Sequence, residues 1–363
     1  VGCAVKPIGP PKEIPTKKDG VELVLAIKEL DFGEKKVNGE PLYKNYGFDL
    51  DGYCSCPNDF TCKGADPNTS RYCDGPDGRD NAGGALITTF ASVLDDFGSE
   101  SINKSALGGS STVVFQVRQY NGEANDDQVE VAWMIGEDFN GNGGVPVWDG
   151  KDVWDVQKAG FLNDGAPPLT PRFADPNAYV RDYVIVATLP GGSIGGADLS
   201  ITLTAPLMVA TLIPPTENKN FWSIDSGTVA ARWDTKDIFK LFRRFNDPVS
   251  KQPLCTDNPF YVNIKSEICK YADIPLGVQV QPNVPCSALS IALRFTAAQI
   301  GIGSLIDTQA PENNCGKDND PANDSCDLTC APSGAAGRVV PGPGGVDVLS
   351  SDWCRAFPGS LGC

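Results

Sequence analysis

The chain has 363 residues, a net charge of −16 and no histidine, with apolar residues at 41% and charged residues at 21%. Such a composition is that of a globular chain with enough apolar content for a sizeable core. The acidity argues against a nucleic-acid partner, because phosphate would be repelled. The missing imidazole excludes Ser-His-Asp and Cys-His nucleophile systems and histidine-ligated metal centres.

In chain order, Val1-Gly2-Cys3 is the first feature. It is similar to the end of a bacterial lipobox, which implies a lipid on Cys3 and a membrane association through that anchor alone. Residues 4–20 follow, with Pro7, Pro10, Pro11 and Pro15 among four lysines. Pro-rich chain favours extended geometry, so residues 1–20 are expected to act as a tether. A β body is predicted over 21–233. It opens with a strand on which Val21, Leu23, Leu25 and Ile27 share a face.

A Cys-rich insertion occupies 48–81. Its stretches "FDLDG" and "CDGPDGRDN" supply Asp49, Asp51, Asp74, Asp77 and Asp80. Oxygen-rich, Gly-rich loops of this kind suit calcium, although Asp, Asn and Gly are equally what tight turns require. No EF-hand is complete, because "DLDGYCSCPNDF" lacks a glutamate at its twelfth position. Cys73 is expected to close back on Cys54, Cys56 or Cys62, which would bring Asp49 and Asp51 to the 74–81 turn. Asp80 or Asn81 is expected to cap a helix over 84–98.

Alternation in 112–120 and 128–135, with Asn121-Gly122 between them, predicts an antiparallel hairpin. The stretch "PVWDGKDVWDV" places Trp148 and Trp154 among acids and glycines, the best candidates for an exposed pair able to stack on a ligand, with core packing as the alternative for any tryptophan. Further strands are expected at 182–189, 199–205, 207–213 and 227–233. Helices are expected after an Asp234 or Thr235 cap and after Asn258-Pro259. The stretch "CSALSIALRFTAAQIG" fits a helix and a strand equally. Many short strands with Gly and Pro between them suggest a mainly β fold, a sandwich or jelly-roll-like body with helical insertions. The stretch 234–363 is then a helical, disulfide-stapled C-terminal part, separate from that body or continuous with it.

The chain has thirteen cysteines. With Cys3 set aside, twelve remain for disulfides: Cys54, Cys56, Cys62 and Cys73; Cys255, Cys269 and Cys286; Cys315, Cys326, Cys330, Cys354 and Cys363. If the first four pair among themselves, two odd-numbered groups remain, so at least one bridge must join the tail to 255–286. Dense cysteine pairing implies an oxidising, extracytoplasmic compartment.

The phrases "YGFDLDGYCSC", "CDGPDGRDN", "YNGEANDDQV", "SGTVAARWDTKDIF" and "PLCTDNPFYVNIKSEIC" resemble a group of uncharacterised disulfide-rich secreted bacterial lipoproteins. That likeness spans about residues 40 to 300 and implies a location, at the cell surface or outer membrane, but no mechanism. The strand pattern is also similar to concanavalin-like jelly rolls. The function expected from these features is structural or binding, towards a glycan or protein. The alternative is a carbohydrate-active enzyme using paired Asp/Glu carboxylates.

Overall fold

The computed structural model describes residues 5–13, 20–56, 60–64, 72–94, 97–139, 144–195, 200–277, 279, 281–307, 313–326, 339–341 and 347–349. Its main strands are β1 Val21–Asp31, β2 Ser111–Tyr120, β3 Asp126–Phe139, β4 Val153–Gln157, β5 Phe173–Arg181, β6 Val184–Thr188, β7 Gly191–Gly195, β8 Ser200–Ile213, β9 Ser223–Asp234, β10 Ala288–Gln299 and β11 Gly301–Ile306. The helices are α1 Ala82–Phe90, α2 Ser99–Leu107, α3 Thr235–Phe242 and α4 Pro259–Tyr271.

Antiparallel pairing runs β3-β2-β1-β10-β9-β8-β6-β5 and returns from β5 to β3. The mainly β expectation holds, but the two-sheet sandwich or jelly roll does not form: eight strands close into a barrel. Closure depends on the length of β3. Its first half, around Asp126–Trp133, pairs with β5, while Gly136–Phe139 pairs with β4 on the same side. Strand β11 then adds to β4 in parallel as a flap on the outer wall.

The predicted β2–β3 hairpin forms, with Val113 opposite Ile135, Phe115 opposite Trp133 and Val117 opposite Val131. Gly122 takes φ +79° in its turn, where a side chain would be strained, and Asn121 Nδ2 donates to the Asn125 carbonyl. The two expected strands around Pro206 are one strand, β8, which shifts register between Thr204 and Leu207. The ambiguous 286–301 stretch is β10, set between β1 and β9. The region after 234 therefore supplies a wall of the body.

The barrel is filled by side chains. Leu25, Phe115, Val131, Trp133, Ile185, Met208, Ala231, Trp233, Ile291 and Leu293 belong to one buried cluster. Exposed Glu22 and partly exposed Arg118 and Glu130 face outward, so the polarity is opposite to that of a lipid-spanning barrel with a polar lumen. No helix among the described residues is long and apolar enough to cross a membrane.

Helices α1, α3 and α4 pack at the rim where β9 ends and β10 begins, with Phe90, Phe97, Phe242 and Phe245 in ring contact. Each begins or lies at an expected cap. Asn81 accepts from Gly84 N, Asp234 from Lys236 N and Asn258 from Phe260 N. The helix expected over 84–98 is shorter than predicted and is followed by α2, which the sequence reading did not anticipate.

Four bridges join described cysteines: Cys56–Cys73, Cys62–Cys286, Cys255–Cys315 and Cys269–Cys326. Cys54 is also disulfide-bonded. Cys73 does close back on the insertion, and two bridges tie the 313–326 segment to α4 and its approach, where at least one was expected. The first four cysteines do not pair only among themselves, because Cys62 reaches Cys286 across 224 residues. Cys3, Cys330, Cys354 and Cys363 lie outside the described residues. These bridges point to an oxidising, extracytoplasmic environment.

Candidate functional site

Two places combine chemistry-bearing side chains: an acidic centre on the outer face of β9 and β10, and a groove beneath α2.

The acidic centre is built by the segment 42–51 crossing the barrel wall. Tyr46 packs on Ala230 and Ala292, two small side chains that leave room for the crossing loop. Gly47 is required there, since it has φ +98° and a Cβ would stand 2.9 Å from the Ala292 Cβ. Buried Asn81 locks the other side. Its amide accepts from Ala292 N and donates to the Tyr43 carbonyl. Asp80 N donates to the Phe48 carbonyl and Leu50 N donates to Asp80 Oδ2. The Cys56–Cys73 bridge holds the two acidic stretches in proximity.

As a result Asp49, Asp51 and Asp80 each present a carboxylate oxygen within 4.8 Å of the others. Asp80 is fully buried, and its Oδ1 and the Asp49 Oδ2 have no hydrogen-bond partner. Asp51 accepts from Tyr53 N and the Thr61 hydroxyl. Asp74 accepts from Ser55 N, and its charge bears on Asp80.

Asp77, expected with this set, does not join it. It is exposed in the 75–79 turn with φ +62°, serving the chain reversal instead.

Burial, and then the neighbouring carboxylates, drives the proton affinities up. Asp74 is pushed up to about 7, mainly by burial and then by Asp51 and Asp49. Asp80 is raised well above the carboxylate range by burial and by Asp51 and Asp74. Asp51 is raised by burial, with Asp49 adding to the shift.

Sequence reasoning missed Arg232 and Asp273. Arg232 is buried on the outer face of β9, where its Nη2 donates to the Leu50 carbonyl. Burial lowers its pKa, while Asp80 and Asp51 oppose the shift. The signal was a lone arginine inside "GTVAARW", which needs acids nearby if it faces a covered wall.

Asp273 accepts from Ser290 N at 2.7 Å and from the Ser290 hydroxyl, and burial pushes it up to about 7. Like charges at Asp74 and Asp51 add to that shift. The folded chain therefore holds this proton more tightly than the unfolded chain does, and stability falls as pH rises from about 4 towards 7. Asp273→Asn is expected to lose less melting temperature than the wild type between about pH 4 and pH 7, as read by thermal scans at several pH values. An unchanged slope would show that Asp273 does not contribute to it.

The groove has a volume of about 950 Å3 and lies between α2 and the outer faces of β1, β9 and β10. Helix α2 is tied to β1 by Asn103, which pairs with both backbone groups of Leu30 at 2.8 Å. Glu34 accepts from Ser99 N and the Ser99 hydroxyl at the helix start. Register shifts in β1 between Ile27 and Glu29 and in β9 between Ile224 and Gly227 open the floor. Gly227 cannot carry a side chain, because a Cβ would stand 2.3 Å from the Phe295 ring. Glu29, Glu100, Lys104, Asp225 and Arg294 line the groove and are exposed. The Arg294 guanidinium sits 4.3 Å over the Tyr46 ring, and Tyr46 OH donates to Asp31 Oδ2 at 2.7 Å.

Trp148 and Trp154 do not form the exposed pair expected of them. They are 9% and 0% exposed, with ring centroids 6.1 Å apart, in a second core between the barrel and the β4–β11 flap. Asp152 turns the loop inward by accepting from Val147 N and Trp148 N.

No protein-family model, curated protein or solved structure matches the chain.

Proposed function

We propose that this is a bacterial cell-surface or outer-membrane lipoprotein, anchored through Cys3, whose groove beneath α2 binds a glycan. The single observation carrying the reading is the groove's mixed lining: Glu29, Glu100 and Asp225 as acceptors facing Lys104 and Arg294 as donors. Sugar hydroxyls both donate and accept, so such a surface suits them better than it suits an apolar ligand. Arg294 is pre-set by its stack on Tyr46, which lowers the ordering cost of binding. The bridged extracytoplasmic body and the lipobox-like Val1-Gly2-Cys3 support the location.

Native electrophoresis through gels containing soluble polysaccharides tests this. Retardation by at least one polysaccharide is expected, with Arg294→Ala weakening it about tenfold or more by removing a charged donor. Absence of retardation on every polysaccharide, with capture by a protein ligand instead, would overturn the glycan reading. The carboxylates on both walls keep an enzyme as the second reading. It prevails if new reducing ends appear and vanish in Glu29→Gln or Asp225→Asn.

A further inference from the structure

We propose that Asp49, Asp51 and Asp80 together bind one calcium ion, a site separate in its residues from the groove and independent of what the groove binds. Three carboxylate oxygens converge within 4.8 Å. Acidic clusters alone are common, but here Asp80 is fully buried and one of its oxygens, Oδ1, lacks any hydrogen-bond partner. The Asp49 Oδ2 is in the same condition. A buried carboxylate oxygen without a donor is costly unless a cation takes that place.

Arg232 is a buried cation whose charge reaches the cluster, and it does not relieve it. Its Nη2 is spent on the Leu50 carbonyl and its buried Nε has no acceptor. One guanidinium thus faces Asp51, Asp80 and Asp273, too little positive charge for the carboxylates gathered there.

The donor set decides which ion. All the ligands are oxygens, which favours a hard cation over zinc or copper. Calcium at 2.3–2.6 Å spans roughly 4.6–5.2 Å between opposed oxygens, whereas magnesium at about 2.1 Å spans only about 4.2 Å. The three oxygens lie within 4.8 Å of one another, inside the reach of one calcium ion, and their loop setting suits the irregular geometry calcium accepts better than the strict octahedron magnesium demands. Asp49 and Asp51 are partly exposed, giving an entry path and room for waters to complete six to eight ligands.

The site would clamp the insertion onto the barrel. Asp49 follows the loop that crosses β9 and β10, Asp51 is joined to Thr61, and Asp80 precedes the cap of α1. The N-terminal segment is held at the same place, since Asp49 N donates to the Val5 carbonyl.

The test uses the full chain with its disulfides intact, stripped with a chelator and titrated calorimetrically with calcium chloride. One equivalent is expected to bind, with a Kd of about 1 mM or tighter and a rise in melting temperature of about 5 °C at saturation. Asp80→Asn should abolish both, since its amide still accepts from Leu50 N but offers no charge. Metal-free Asp80→Asn should also melt at or above metal-free wild type, an outcome a merely structural aspartate would not give. Should that variant fail to fold, Asp51→Asn at its half-exposed position is expected to weaken calcium at least about tenfold. Absence of calcium heat and of any melting shift at about 10 mM overturns the proposal, as does an equal shift with magnesium or undiminished binding by the variants.

Discussion

Replacing both Cys62 and Cys286 with serine is expected to cost more stability than removal of either of the other two long-range bridges. This bridge closes a loop of 224 residues, against 60 for Cys255–Cys315 and 57 for Cys269–Cys326. Chain-entropy reasoning gives about 5 kcal/mol for the longest loop and about 4 kcal/mol for each of the others. Locally, the bridge fastens the insertion to the chain just before β10. There Cys62 and Lys63 run alongside Gln281–Pro285, and Cys286 N donates to the Lys63 carbonyl at 2.8 Å.

Urea or guanidinium unfolding of the double variant should show a lower midpoint. A steeper denaturant dependence should accompany it, because the released unfolded chain exposes more surface. A double variant as stable as the wild type would mean that this bridge constrains nothing the ladder does not already hold.

Trp133→Ala is expected to cost about 3–5 kcal/mol, the range for truncating a buried tryptophan. Trp133 is fully buried inside the barrel, edge-on to Phe115 at 5.0 Å. Its Nε1 donates to the Ser193 carbonyl at 2.8 Å, linking β3 to β7 across the interior. Gly192 lies beneath the ring, and a Cβ there would stand 2.9 Å from it.

A double-mutant cycle separates packing from a general loss of structure. Gly192→Ala should destabilise the wild type by overlap with the indole but should be nearly harmless on the Trp133→Ala background. Equal costs on both backgrounds, measured by thermal or denaturant unfolding, would remove Trp133 as the residue that demands glycine there.

Both residues illustrate what local pattern can and cannot convey. Trp133 was legible as an inward strand residue from the alternation of Val129, Val131 and Ile135 around it. Its register opposite Phe115 was not, because a two-residue turn at Asn121-Gly122 would have set Phe115 opposite Gln128, and the loop is longer than that. That Gly192 would pass beneath it was not legible, because β7 reaches the interior through a different hairpin.

The acidic centre was legible in part. Cysteine spacing suggested that Cys73 would return to the 54–62 stretch, and that return places Asp49 and Asp51 beside Asp80. Asp77 shares the composition of its neighbours, but a turn has an outer side, and φ +62° puts Asp77 on it. Arg232 and Asp273 entered only through contacts between residues far apart in the chain.

By itself, the sequence determined the elements whose causes are local: the β2–β3 hairpin and the caps Asn81, Asp234 and Asn258. Side-chain alternation and capping geometry act over a few residues, so one sequence suffices to read them, whereas the cysteine count assumed that the first four pair among themselves and Cys62–Cys286 breaks that premise. The tertiary structure alone decided barrel or sandwich, since both use the same alternating strands and differ only in whether β3 meets β5. It also decided the state of β10, whose Ala288–Leu293 half is buried on both faces and so carries no alternation to distinguish strand from helix. The fate of Trp148 and Trp154 was settled in the same way. A loop's composition does not reveal whether another segment will cover it, and here the β4–β11 flap buries both rings.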